Sequence, residues 1–424
     1  MMMVLRRWTA RVAGVVCALG VVLVPSAAAA QDFSGGGPLW YMDAMKIQAI
    51  QDAGITGEGV TIAVLDAGVN TEIVNLEGAD IEVRQIEQCP DPASADPTAF
   101  AATQHGTSVT SLIVGNGTSD SGSGPAGIAP GARILYYGSL QASCDGDAFP
   151  AAIADAVEQG ADIVSMSGGS ARLADELSQG AADSVADALR AGVLVVAGLP
   201  NADSIWEGEL GEINGVVNVA SVDSAANAAK RQDGSEMTND DIDVVAPGVD
   251  VAGVGWDGTW GMSEWSGNSA ATPIVSGLLA LGKQKWPDAT ASQLIQSLIR
   301  NTGSKPHELE WSNKFGHGIV NATRLVEEDP SQYADENPLF TDGQAPTFDE
   351  VYSAPESSAP EAPGAQAGAG PGVLPWVLAG GGAVVVVVAV TLIVVIRRGR
   401  GGAADAGGRE KNTSVPPTSS VHRR

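Results

Sequence analysis

Between residue 31 and about residue 330 the chain repeats one pattern, a short, mainly apolar run followed by an amphipathic stretch. Runs of this length are too short for a typical helix. They also lack the polar alternation of a strand with one wet face, so each reads as a strand buried on both sides. Residues 60–65 (VTIAVL) are the clearest case, followed by 162–166, 193–197, 216–221 and 243–246. Residues 151–159 and 183–190, lying between such runs, read as helices. Strands alternating with helices predict an α/β domain, a mostly parallel sheet with helices on both faces. Sites in such sheets form beyond the carboxyl ends of the strands. That directs attention to the polar residues just past them, Asp66 and Asn201 in particular.

Charge narrows the partners. The 424 residues carry a formal charge of −27, unevenly spread. Residues 31–372 hold 13 Lys+Arg against 48 Asp+Glu, a formal charge of −35. Such a surface repels nucleic acid and anionic headgroups, so no nucleic-acid partner is expected. No metal-ligand spacing is readable among the acids, histidines and cysteines, so neither a metal nor a cofactor is expected.

The ends carry targeting signals. Arg6, Arg7 and Arg11 precede an apolar run over 12–24, then Pro25-Ser26 and Ala28-Ala29-Ala30. Basic residues, a short apolar core and a small-residue cleavage site predict a signal peptide over 1–30. A second apolar segment, 373–396, has no charged residue. As a helix it would extend about 36 Å, against a bilayer core of roughly 30 Å, which predicts a single transmembrane helix. Arg397, Arg398 and Arg400 follow at once, which places the tail 397–424 in the cytoplasm and the large segment outside the cell membrane. Residues 331–372 are rich in Pro, Ala, Gly and acids and contain no Lys or Arg. They read as a disordered linker between the globular segment, 31–330, and the span. Cys17 falls in the signal peptide. Cys89 and Cys144 are left as a pair for an oxidising compartment, either a disulfide or two buried thiols.

The chain has four histidines, His105, His307, His317 and His422. A hydroxyl nucleophile needs a base near neutral pKa, usually histidine, oriented by a carboxylate. Only His105 opens a signature, His105-Gly106-Thr107-Ser108, at the head of an apolar, helix-like run to Val114. There is no Gly-x-Ser-x-Gly elbow, which argues against an α/β-hydrolase order built on His307 or His317.

Three motifs in chain order then resemble the signatures of the subtilase family of serine proteases: Val64-Leu65-Asp66-Ala67-Gly68-Val69-Asn70, His105-Gly106-Thr107-Ser108 and Gly267-Asn268-Ser269-Ala270-Ala271-Thr272-Pro273. The order Asp, His, Ser is the subtilisin order. The resemblance runs from about Trp40 to Leu325 and implies a subtilisin-like fold. It also implies a triad, with Ser269 as nucleophile, His105 as base and Asp66 as its orienting carboxylate. It implies that Asn201, after the 193–197 strand, donates to the oxyanion. It implies, too, that Ser167, Gly168 and Gly169 lie on an edge that pairs with a peptide or protein substrate.

Four residues depart from the family's pattern. Ala67 stands where Ser or Thr is usual, Pro200 for Gly, Asn268 for Thr and Ala270 for Met. They leave two expectations open: an endopeptidase working through an acyl-enzyme, or a weak or silent subtilase acting as a structural subunit. The order of signal peptide, catalytic domain, linker, span and basic tail is similar to that of the mycosins, membrane-anchored subtilases of type VII secretion systems. About ten residues separate Ala30 from Trp40, which leaves no room for a long folded propeptide. The resemblance implies a local processing or assembly role beside a secretion complex.

Overall fold

The computed structural model describes residues 34–87, 100–138, 148–167, 179–201, 214–231 and 233–340. Its centre is a seven-stranded sheet built from β1 (Thr61–Leu65), β2 (Asp80–Val83), β5 (Arg133–Tyr137), β6 (Ile163–Met166), β7 (Leu194–Gly198), β8 (Val217–Val222) and β9 (Val244–Pro247). The strands lie in the order β2-β5-β1-β6-β7-β8-β9, every neighbouring pair parallel. The expected strands are each found within one or two residues of their place. Two antiparallel hairpins stand apart: β3 (Asn116–Ser119) with β4 (Gly122–Ala126), and β10 (Val251–Val254) with β11 (Met262–Trp265).

The pleat of β1 explains the layering. Ile62 and Val64 join one hydrophobic core, Ala63 and Leu65 the other, because successive side chains leave opposite faces. The first core receives Val109, Leu112 and Ile113 from α3 (Phe100–Val114), Ile274 and Leu278 from α6 (Asn268–Lys285), and Leu294 and Leu298 from α7 (Ala291–Arg300). The second receives Phe149 and Ile153 from α4 (Ala148–Glu158), and Val185 and Ala188 from α5 (Gln179–Arg190). Three shorter helices complete the set: α1 (Trp40–Ala44), α2 (Ile47–Asp52) and α8 (Ala322–Glu327).

Strand register positions the site. Leu65 pairs with Met166, and Met166 with Ala197, so the carboxyl ends of β1, β6 and β7 lie level. Asp66 and Ser167, each the next residue, therefore emerge on one rim of the sheet, and Asn201 follows three residues after β7 ends.

Packing continues past residue 330, where the linker was expected to begin. Gln293 and Gln296 on α7 donate to Tyr333 O (3.3 Å) and Glu336 O (3.0 Å). Asn337 donates to Gly215 O (3.2 Å), and Gly215 N–H to Leu339 O (3.1 Å). The ring of Phe340 occupies the space a side chain at Gly215 would fill. Tyr333, Leu339 and Phe340 supply the apolar surface that holds this stretch, while its general composition reads as linker. Among the described residues no helix is long and apolar enough to cross a membrane. The signal peptide, the segment 373–396, the tail 397–424, Cys89, Cys144, Gly168 and Gly169 all lie outside the described residues.

One buried acid leaves a mark on stability. Asp243, at the entry to β9, accepts from Asn218 N–H (2.8 Å). Burial pushes its carboxyl up to about 7; the hydrogen bond opposes this, and the charge of Asp241 adds to it. Between the unfolded value near 3.8 and about 7, the folded state holds a proton that the unfolded chain has lost. Stability therefore falls as pH rises through that window. A displacement from 3.8 to about 7 would amount to about 4 kcal/mol, but Asp243 keeps part of its solvent contact, which reduces the effect to the order of 1–2 kcal/mol. Asp243→Asn keeps the acceptor and removes the titration. It is expected to raise the melting temperature at pH 8 by about 2–6 °C, and by less at pH 4. An unchanged difference across pH would exclude Asp243 as the titrating group.

Candidate active site

Asp66 follows β1 directly, and its N–H donates to Tyr137 O on the neighbouring strand (3.2 Å). Its side chain is fully buried. Oδ1 accepts from two donors, Ala67 N–H and His105 Nδ1, both at 2.6 Å. Oδ2 is buried and has no hydrogen-bond partner among the described residues. Tyr136 fixes the turn from below by donating to Ala67 O (2.6 Å). Gly106 makes that approach possible: a Cβ there would fall against Tyr136 Oη and 2.6 Å from Gly68 O.

His105 lies in the second turn of α3, which starts at Phe100 rather than at the histidine. Burial alone would lower the imidazole pKa. The charge and hydrogen bond of Asp66 outweigh it and hold the pKa above the usual 6.5. The bond to Nδ1 fixes the tautomer in which Nε2 carries the lone pair, as a base toward a hydroxyl requires.

Two tryptophans of the β10–β11 hairpin flank this ring. Trp265 meets His105 edge-on at 5.6 Å and Trp256 at 6.4 Å, and the two indoles stack at 5.2 Å. Ser108, one turn after His105, ties the hairpin down. Its Oγ donates to Val254 O and accepts from Val254 N–H and Trp256 Nε1–H, at 2.9–3.0 Å. Sequence reasoning missed Trp256 and Trp265. The signal was there: tryptophans bracketing a Gly-rich turn just before the Ser269 motif, in a chain with only 5% aromatic residues.

Ser269 is the second residue of α6 and is 8% exposed. Gly267 caps the helix at φ 154°, a conformation that favours glycine. The first N–H groups of a helix lack a carbonyl one full turn back, and the dipole there is positive; here the Ala270 N–H turns to Gly267 O (2.9 Å). Asn201 reaches the same place: its Oδ1 accepts from Asn268 N–H (2.7 Å). With the oxygen so engaged, Nδ2 is the end left to donate, and it lies 3.1 Å from where a Cβ on Gly267 would stand. Helices α3 and α6 pack against each other, and Trp265, four residues before Ser269, touches His105. The fold thus brings Asp66, His105, Asn201 and the helix end bearing Ser269 to one side of the sheet.

Ser167, next after β6, is buried, and its Oγ has no partner among the described residues. His307 and His317 are engaged elsewhere, His307 with Thr302 Oγ1 (2.6 Å) and His317 with Glu310 O (2.8 Å). Among the described residues no group of three or more His, Cys, Asp or Glu is placed to hold a metal ion.

Comparison with known proteins gives this geometry its family. The profile of the subtilase family matches residues 57–318. The chain belongs to the subtilase family. Subtilisin Savinase of Lederbergia lenta is 30% identical over 288 residues, 67% of this chain and 96% of that protein. The alkaline protease of Alkalihalobacillus alcalophilus is 30% identical over 288 residues, 67% of this chain and 68% of that protein. Among solved structures, the prenylagaramide maturation protease PagA superposes with a TM-score of 0.52 at 23% identity, covering 66% of this chain and 98% of that one. The PatG macrocyclase in complex with peptide gives 0.53 at 16% identity, covering 66% and 95%. These two are likenesses of fold. The α/β fold and the family make this subtilase a subtilisin-type serine protease.

Proposed function

We propose that this subtilase is a membrane-anchored endopeptidase of the extracytoplasmic face, with Asp66, His105 and Ser269 as triad and Asn201 as oxyanion donor. The observation that carries the reading is the Asp66–His105 hydrogen bond, on the same side of the sheet as the α6 end where Asn201 meets Asn268 N–H. Ser269 Oγ attacks the scissile carbonyl as His105 Nε2 takes its proton. The carbonyl oxygen becomes an oxyanion held by Asn201 Nδ2–H and the Ser269 N–H. His105 then gives its proton to the leaving amine, and an acyl-enzyme remains. Water, deprotonated by His105, attacks the ester, and Ser269 recovers its proton. Asp66 keeps the tautomer throughout and stabilises the imidazolium.

The anchor and compartment rest on the sequence: the apolar segment 373–396, the basic residues after it and the signal peptide before the domain. Their order supports a mycosin-like processing or assembly role in type VII secretion. The test uses the full chain in membranes and a pool of internally quenched peptides. Wild type is expected to cleave the pool and Ser269→Ala to be inert. A chain stopped after residue 372 is expected to leave the membrane fraction with its activity. Ester turnover without peptide cleavage, or membrane retention of the shortened chain, would sink the corresponding part.

A second reading, a silent subunit of a membrane complex, is favoured by one observation. Asp66 Oδ2 has no partner where the family's usual Ser or Thr at position 67 would offer a hydroxyl, and Ala67 offers none. That reading expects Ser269→Ala to replace wild type fully in the cell.

A further inference from the structure

We infer that Asn268, the residue before the nucleophile, is a positioning residue whose side chain holds the oxyanion donor Asn201 in place; this rests on the endopeptidase reading above. Asn268 is 1% exposed, so its amide faces no solvent and every bond it makes is structural or functional. Nδ2 donates to Leu199 O (2.9 Å) and Pro200 O (3.2 Å), the two carbonyls just before Asn201. Oδ1 accepts from Ser221 Oγ (2.8 Å), a hydroxyl on β8 that is itself buried. The two carbonyls settle the orientation of the amide, because a carbonyl only accepts: the NH2 faces them, and the oxygen is left to accept from Ser221.

The same residue grips Asn201 a second way. Its backbone N–H donates to Asn201 Oδ1, so a reversed Asn201 amide would set donor against donor. Asn268 thus fixes both the loop that carries Asn201 and the orientation of the Asn201 side chain.

Such a clamp is needed at this place. Leu199 N–H makes a ladder bond to Val219 O (3.1 Å), and the next residue, Pro200, has no N–H to give. Beyond the Leu199 N–H, the bonds that hold this stretch are those that its two carbonyls accept from Asn268. Two departures from the family's pattern, Pro200 and Asn268, meet in one hydrogen bond, and a threonine at 268 has one hydroxyl where the amide has two N–H donors.

A double-mutant cycle between Asn268→Ala and Asn201→Ala tests the inference, with kcat and KM measured on a cleaved peptide. Acting through Asn201, Asn268→Ala is expected to lower kcat about 10- to 100-fold with KM within about twofold. In the Asn201→Ala background the same change is expected to lower kcat less than about threefold. Equal losses in both backgrounds, or none in either, would overturn it. Should Asn268→Ala not fold, Ser221→Ala removes the donor that holds the amide oxygen from β8; it should show the same dependence on Asn201, smaller in size. If wild type cleaves no peptide, the endopeptidase reading has failed. If wild type cleaves and the cycle is additive, only the clamp has failed.

Discussion

Asp66→Asn is expected to lower kcat/KM about 10³- to 10⁴-fold, with the acid limb of the pH profile displaced to lower pH. The local hydrogen bonds give the reason. Asp66 Oδ1 receives two N–H groups, from Ala67 and from His105. An asparagine must choose. With its oxygen at that point, the NH2 falls where Oδ2 now lies, buried and without a partner. That costs about 1–3 kcal/mol. With the NH2 at that point, it opposes the Ala67 N–H and forces His105 into the tautomer whose Nε2 carries hydrogen and accepts no proton. Either arrangement loses the charge that offsets burial at His105, so the imidazole pKa falls from above its usual value to below it. Free-enzyme kcat/KM as a function of pH measures both effects at once. A profile of unchanged position and height would mean that Asp66 does not govern His105.

Asn201→Ala is expected to lower kcat about 10²- to 10³-fold, on the order of 3–4 kcal/mol of transition-state stabilisation, with KM little changed. The donor meets its acceptor as negative charge develops, so ground-state binding hardly registers its loss. Asn201→Asp sharpens the test. The carboxylate still accepts from Asn268 N–H, so the loop keeps its bond, but the free oxygen now points a charge at the oxyanion. The aspartate variant should therefore be slower than the alanine variant. The reverse order would assign Asn201 a purely structural part in the loop.

The strands were legible because short runs dominated by Val, Ile and Ala permit little else. Asp66 was legible because the run 60–65 stops at a charge. Motif order brought Asp66, His105 and Ser269 together on paper, and helix α3 then extended five residues further back than the apolar run suggested. β5 is not among the runs singled out in the sequence, although Ile134 to Tyr137 is wholly buried. The tryptophans around the Gly-rich turn stand out in the sequence, but their place beside His105 depends on the hairpin folding over α3, a contact across some 150 residues. Asn268 is the clearest case of limited legibility. Sequence marked it only as a departure from a family's habit, because its role consists of bonds to Leu199, Pro200 and Ser221, positions brought close by β7 and β8. The tail to Phe340 has the composition of a linker, and a few aromatic and glutamine contacts hold it to the domain.

Whether Ser269 is an activated nucleophile decides the account. A fluorophosphonate probe with peptide mapping of the adduct asks this directly on the full chain in its membrane. Covalent labelling confined to Ser269, abolished in Ser269→Ala and slowed by at least about 100-fold in Asp66→Asn, is the predicted result. Absence of labelling in a folded wild type, or a label on another residue, would contradict it.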